Sequence, residues 1–232
     1  VLIFFFCTGH RIARFSVFIH SSLIFHTHFF IISLRNTFRL ENTEIMKNLV
    51  IGQSGGPTAV INASLYGAVK AFRESGADGH VLGMINGIEG FLADHVMDLS
   101  TDLSDEELEL LKLTPAAYLG SCRYKLPADL DSEVYPAIFD NFREMNIGYF
   151  LYVGGNDSMD TVDKLSRYAE KIGSDVKFIG IPKTIDNDLV LTDHTPGFGS
   201  AAKYVASTVR EIVLDASVYQ QRSVTIIEIM GR

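Results

Sequence analysis

Apolar runs of strand length alternate with helical patterns from residue 48 to residue 230, and this alternation restricts the folds open to the chain. The runs cover residues 49–51, 81–85, 148–153, 176–181 and 223–229. Short apolar runs separated by amphipathic helical segments are typical of parallel sheets with helices on both faces. We therefore predict an α/β fold with a doubly wound, mostly parallel sheet.

The polar stretch 182–188, with the sequence PKTIDND, directly follows the apolar run 176–181. Open α/β sheets bind their ligands at the carboxyl ends of their strands, so this stretch is a candidate site. In phosphoryl transfer one carboxylate, Asp186 or Asp188, can accept a hydroxyl proton and the other can bind magnesium, while Lys183 can neutralise phosphate charge. A polar turn with solvated charges is the alternative interpretation.

Two glycine turns lie in similar positions, SGG at 54–56 and GGNDS at 154–158. Each stands between a predicted strand and a predicted helix, where glycine permits close approach of an anion and the helix N-terminus adds favourable partial charge. A tight turn at the first and a helix N-cap at the second are the structural alternatives. The small-residue loop 119–123 ends in Arg123, which is either a site residue or an ordinary exposed arginine.

The formal net charge of −8 and the lack of a basic run argue against nucleic-acid binding. An anionic substrate would therefore be held by a few placed cations. The two cysteines, Cys7 and Cys122, have neither metal-ligand spacing nor the pattern of a disulfide framework, which fits a reducing, cytoplasmic compartment.

Residues 1–45 differ in composition from the remainder of the chain. Residues 1–40 contain no Asp or Glu but hold nine of the 16 Phe. We interpret 1–45 as a non-native or unstructured hydrophobic extension, with Met46 as the start of the domain. A membrane or targeting segment and a structured extension are the alternatives. Residues 46–232 would then form one incomplete domain without membrane association.

The motifs 54–56, 154–158 and 182–188, followed by Met-Gly-Arg at 230–232, resemble the phosphofructokinase family, and within it the pyrophosphate-dependent branch of bacteria. The resemblance covers about the N-terminal half of a typical member. It implies a Rossmann-like lobe and a glycolytic, cytoplasmic phosphotransferase that requires Mg2+ and is a homo-oligomer when full length. It would transfer a phosphoryl group from pyrophosphate to O1 of fructose 6-phosphate. We expect the 232 residues to be inactive alone, because the second half of the sugar site is not among them.

The resemblance also implies a role for each matching residue. Asp186 would accept the proton of the sugar hydroxyl, and Arg123 would stabilise the transferring group. Gly55 would contact the donor phosphates. Asn156 and Asp188 would hold the magnesium shell, although the family more often has Asp at the position of Asn156. The sugar phosphate would contact Thr184, Ile185, Asp186, Met230, Gly231 and Arg232.

Asp157 and Lys183 indicate which phosphoryl donor the protein uses. The ATP-using bacterial relatives have glycine at both positions, which leaves room for the α-phosphate of a nucleotide. The Asp157 carboxylate would block that space by bulk and charge, while Lys183 would neutralise bound pyrophosphate. The alternatives are an ATP-dependent 6-phosphofructokinase and a non-catalytic sugar-phosphate-binding or regulatory subunit.

Overall fold

The structure is a computed structural model that describes residues 47–220 and 224–229. The predicted extension 1–45 and the predicted sugar-phosphate residues Met230, Gly231 and Arg232 lie outside these ranges. The strands are β1 Asn48–Gln53, β2 Val81–Met84, β3 Val96–Asp98, β4 Ile147–Gly154 and β5 Lys177–Pro182. The helices are α1 Ala59–Ser75, α2 Gly87–Leu92, α3 Asp105–Leu110, α4 Val134–Glu144, α5 Asn156–Ile172 and α6 Phe198–Ser217.

The strands form one five-stranded sheet in the order β3-β2-β1-β4-β5. β1 is parallel to β2 and β4, and β4 is parallel to β5, whereas the short strand β3 is antiparallel to β2. The predicted mostly parallel α/β sheet is therefore confirmed. Gln53 lies opposite Val153, and Gly154 opposite Pro182, so β1, β4 and β5 end at the same edge of the sheet.

Helices cover both faces of the sheet, as expected for a doubly wound fold. Alternate residues of β4 face opposite sides, with Leu151 packed against the α1 face and Phe150 against the α4 and α5 face. Both side chains are fully buried. Burial of an aromatic or aliphatic side chain of this size stabilises the fold by about 1.5–3 kcal/mol. The buried side chains form one apolar cluster on each face of the sheet. The two clusters hold in place the strand ends that carry the polar turns.

The prediction of a strand at 223–229 is wrong for the described residues 224–229, which do not form a strand. Val224 and Ile226 are each 90% exposed. A β-branched apolar run is stabilised as a strand by packing and by pairing with a neighbour, and no described strand lies beside this run.

The spacing of Ser104 and Glu107 predicts a capping box, which the structure confirms: the Glu107 N–H donates to Ser104 Oγ (3.2 Å) and the Ser104 N–H donates to Glu107 Oε2 (2.9 Å). The dipeptide Asn86-Gly87 predicts a turn. Asn86 lies in a turn and is the N-cap of α2 in a left-handed conformation, whereas Gly87 is the first residue of that helix. Among the described residues, we find no helix that is both long and apolar enough to span a membrane.

Candidate active site

Three of the predicted motifs meet at the carboxyl edge of the sheet. The Ser54 N–H donates to the Val153 carbonyl and the Lys183 N–H donates to the Gly154 carbonyl, both at 2.9 Å. These bonds extend the pairing of the strands by one residue into the turns. The SGG turn, the first turn of α5 and the segment after β5 are consequently neighbours.

Lys183 directly follows β5 at this edge and is 8% exposed. Its Nζ is 3.7 Å from the position that a Cβ on Gly55 would occupy. Burial lowers the pKa of the Lys183 ammonium, and the positive charge of Arg123 lowers it further, whereas the negative charge of Asp186 acts in the opposite direction. The structure thus brings Lys183, Arg123 and Asp186 into one electrostatic environment beside the SGG turn.

Gly55 shapes the space next to this ammonium. Its φ of 76° lies in the left-handed region, which glycine adopts without strain. The Gly55 N–H already donates to the Cys122 carbonyl at 3.1 Å. This glycine therefore contributes open space for a ligand beside Lys183 more than a free hydrogen-bond donor.

The segment 184–188 is tied to the loop that precedes α6. The Thr184 N–H donates to the Pro196 carbonyl (2.8 Å), and the Thr195 N–H donates to Asn187 Oδ1 (2.9 Å). The Asp186 N–H donates to Thr184 Oγ1 (3.0 Å), which fixes the backbone at Asp186. Asn187, with a φ of 53°, thus holds the turn, a role that was not predicted from the sequence.

The remaining predicted residues of this segment differ in exposure. Thr184, Ile185 and Asp186 are half-buried, and Asp188 is exposed. Asp188 therefore lies at the solvent side of the site, where a hydrated ligand can reach it.

Asn156 and Asp157 form the start of α5, and both are exposed. Gly155 occupies the N-cap position, so neither side chain is the N-cap that the sequence allowed as an alternative. Asp157 Oδ1 lies 3.1 Å from Lys125 Nζ, and the two side chains are 69% and 70% exposed. This ion pair, which was not predicted from the sequence, joins the start of α5 to the segment that follows Arg123.

Arg123 is delivered by a loop that is bonded directly to the SGG turn. Ser121 Oγ donates to the Gly55 carbonyl at 2.6 Å, and the next carbonyl, that of Cys122, accepts from the Gly55 N–H. Cys122 is buried and Arg123 is exposed. The Arg123 loop therefore lies beside the SGG turn because of these two bonds.

Two fully buried side-chain amides, Gln53 and Asn62, bind the backbone of the segment that leads to Arg123. Gln53 Nε2 donates to Asn62 Oδ1 at 3.0 Å, and Gln53 Oε1 accepts from the Leu119 N–H at 2.9 Å. Asn62 Nδ2 donates to the Thr114 carbonyl at 2.9 Å, and its Oδ1 also accepts from the Tyr118 N–H at 2.8 Å. Buried amides need such partners, and here the partners are the backbone that leads to Arg123.

The oxygen ligands at this edge fit a hydrated magnesium ion. In the part of the chain that the structure describes, no three His, Cys, Asp or Glu side chains cluster as a metal cage. Asn156, in the first turn of α5, carries an amide oxygen, and Asp188, in the segment that follows β5, carries a carboxylate. Magnesium prefers oxygen ligands, keeps several waters and is commonly held by one or two side chains together with substrate phosphates.

Comparison with known proteins shows to which family the chain is similar. Residues 48–232 match the family described as Phosphofructokinase. The chain is 45% identical over 190 residues to the pyrophosphate–fructose 6-phosphate 1-phosphotransferase of Halomonas elongata, an alignment that covers 80% of this chain and 45% of that protein. The protein of the same name from Xanthomonas campestris pv. campestris is 45% identical over 188 residues, covering 80% and 44%.

A solved structure is also similar to this chain. The pyrophosphate-dependent phosphofructokinase of Nitrosospira multiformis superposes with a TM-score of 0.69 at 42% identity, covering 75% of this chain and 43% of that one. The chain spans about half the length of the curated relatives it matches. It belongs to the phosphofructokinase family.

Proposed function

We propose that residues 46–232 provide the donor site and part of the sugar site of a pyrophosphate-dependent 6-phosphofructokinase. The reaction transfers a phosphoryl group from pyrophosphate to O1 of fructose 6-phosphate, and it yields fructose 1,6-bisphosphate and phosphate. The observation that carries the proposal is the buried Lys183 ammonium, which faces the side-chain-free position of Gly55 at 3.7 Å.

A buried ammonium is a strong recognition element for an anion. Removal of a charge from water is costly, and an anionic ligand offsets that cost when it binds beside the charge. The lowered pKa of Lys183 reflects this burial and the nearby Arg123. Two cations at one strand edge suit pyrophosphate better than a neutral ligand, in a chain whose net charge is −8.

The residues can divide the chemical step between them. As O1 of the sugar attacks the phosphorus, Asp186 accepts the hydroxyl proton, and the bridging P–O bond breaks with its electron pair leaving on phosphate. Lys183 and Arg123 offset the charge on the transferring group and on the leaving phosphate. The Thr184–Pro196 and Asn187–Thr195 bonds hold Asp186 in position during this step.

Asn156 and Asp188 would hold the magnesium ion together with its waters. A magnesium ion held there would neutralise part of the charge on the phosphate oxygens. Its neutral amide makes Asn156 a weaker ligand than the Asp that is more common in the family, so Asp188 would supply the negative charge of the metal shell.

Asp157 supports pyrophosphate as the donor. It stands in the first turn of α5. The resemblance to ATP-using relatives, which have glycine at this position, implies that its side chain would take up the space that a nucleotide α-phosphate needs. The relatives from Halomonas elongata and Xanthomonas campestris, each named for pyrophosphate, support the same choice. We further propose that the full-length protein acts in the cytoplasm as a homo-oligomer.

The test is an assay of a full-length protein that contains residues 46–232, with fructose 6-phosphate and magnesium and either pyrophosphate or ATP. Formation of fructose 1,6-bisphosphate is followed through coupled aldolase cleavage, and chelation by EDTA should abolish it. Turnover with ATP alone would contradict the choice of donor. No product with either donor, while fructose 6-phosphate still binds, would favour a non-catalytic subunit.

A further inference from the structure

The ion pair between Lys125 and Asp157 has a geometry suited to donor selection. Lys125 Nζ lies 3.1 Å from Asp157 Oδ1, although the two residues are on separate segments of the chain. Asp157 belongs to the first turn of α5, and Lys125 follows Arg123 by two residues. The pair therefore closes the gap between the Arg123 loop and the helix start.

The backbone on both sides of Lys125 is anchored. Ser121 Oγ donates to the Gly55 carbonyl at 2.6 Å, and Lys164 Nζ on α5 donates to the Leu126 carbonyl at 3.0 Å. Between these points exposure alternates, because Cys122 and Leu126 are buried whereas Arg123 and Lys125 are exposed. Arg123 and Lys125 consequently share the outward side of one loop beside the site.

A carboxylate near the donor creates an electrostatic problem. Asp157 can exclude a nucleotide by its size, but its negative charge would also repel pyrophosphate. An ammonium 3.1 Å away offsets part of that charge. The size of Asp157 remains, while its repulsion of an anionic ligand decreases.

We propose that Lys125 is a positioning and donor-specificity residue, which neutralises Asp157 so that this side chain excludes nucleotides without repelling pyrophosphate. This inference rests on the proposed function. It assigns to Lys125 an action through Asp157 and not a direct contact with the phosphates.

A double-mutant cycle in the full-length protein tests the inference, with KM for pyrophosphate as the readout. Lys125→Met should raise this KM by about fivefold, because an Asp157 carboxylate without its partner would repel a nearby anion by ~1 kcal/mol in water. KM for fructose 6-phosphate should stay unchanged. In an Asp157→Asn background, which removes the charge but keeps the size, Lys125→Met should have no further effect on either KM.

Lys171→Met is the matched control. Lys171 forms an ion pair with Asp131 at the other end of the same helix, so its loss also removes one surface pair from α5. This variant should leave KM for pyrophosphate unchanged.

The outcomes separate the inference from the proposed function. An active wild type whose KM for pyrophosphate is unchanged by Lys125→Met overturns the role of Lys125 alone. An equal increase in KM with and without Asp157→Asn overturns it as well, because Lys125 would then bind the phosphates directly. A wild type without pyrophosphate-dependent turnover contradicts the proposed function, whatever Lys125 does.

Discussion

The Nζ of Lys183 lies 3.7 Å from the point where a Cβ on Gly55 would stand, and this relationship joins two motifs separated by most of the domain. It depends on β4, which lies between β1 and β5 and aligns their carboxyl ends. A cation and a backbone without a side chain are thus placed together, and an anion can lie beside both of them.

Replacement of Gly55 by alanine should impair pyrophosphate use. The left-handed φ of 76° would cost alanine about 1–2 kcal/mol, and the new methyl group would take up space beside Lys183. We expect a higher KM for pyrophosphate and a lower melting temperature. Gly56→Ala is the control, because Gly56 lacks the positive φ and a Cβ placed on it would have no neighbouring atom within 4 Å. Equal effects of the two substitutions would contradict this role of Gly55.

The pKa of Lys183 predicts a loss of pyrophosphate affinity at alkaline pH. Burial and Arg123 lower this pKa below its ordinary value near 10.5 in the free site, and a bound anion would raise it again. Affinity is therefore complete below the lowered pKa and falls as the pH rises through it. KM for pyrophosphate, measured from pH 7 to 10, should rise accordingly.

Lys183→Arg provides the control for this pH dependence. Its guanidinium stays protonated throughout the range, so the contribution of residue 183 to the alkaline rise should disappear. Titration of pyrophosphate itself affects both proteins equally. If the two pH profiles of KM have the same shape, Lys183 is not the group that titrates.

Asp186→Asn should remove the proton acceptor while it preserves the shape of the side chain. General-base catalysis contributes about 10²–10⁴-fold, so kcat should fall by at least a hundredfold with a modest change in KM for fructose 6-phosphate. Asp188→Asn tests the neighbouring carboxylate, and its loss should instead raise the magnesium concentration needed for half-maximal activity. An Asp186→Asn variant with more than roughly a tenth of the wild-type rate would assign the base elsewhere.

Asp157→Gly should shift the donor preference towards ATP. Two like charges 4 Å apart repel by ~1 kcal/mol in water and ~4 kcal/mol at an effective dielectric near 20. The smaller figure applies here, because Asp157 is 69% exposed and paired with Lys125. Exclusion of nucleotide should thus depend on size. Asp157→Asn should still reject ATP and Asp157→Gly should accept it, as judged by kcat/KM for each donor. If both variants accept ATP equally, charge is the decisive property.

The strands that place the site could be predicted because their sequences are continuously apolar. Every residue of β4 is buried, and the run 148–153 predicts it to within one residue at each end. β3 has only three residues and pairs antiparallel at the edge of the sheet. A segment this short shows no hydrophobic periodicity from which a strand could be predicted. α4 is not among the predicted elements, although Tyr135, Ile138 and Phe142 have helical spacing and Pro136 lies in the first turn, where proline is tolerated.

The proximity of candidate site residues could be predicted where they share one local motif, and not where two distant segments meet. PKTIDND contains Lys183, Thr184 and Asp186 within a few residues, so their proximity needs no tertiary information. The Lys125–Asp157 pair and the Gln53–Asn62 contact depend on the packing of the loop and α1 against the sheet. These residues are visible in the sequence, but local motifs do not indicate which distant segments pack against each other.

The buried amide of Asn62 should be important for stability although it touches no substrate. Asn62→Leu would leave the partly buried Thr114 carbonyl and Tyr118 N–H without their side-chain partner. A fully buried unsatisfied group costs about 1–3 kcal/mol, and because both groups are only partly buried, unfolding in urea should show a loss of about 2 kcal/mol in total. Because the same backbone leads to Arg123, kcat should also fall at temperatures where the variant remains folded. An unchanged urea midpoint would mean that water satisfies both backbone groups, and Asn62 would then have no part in holding the Arg123 loop.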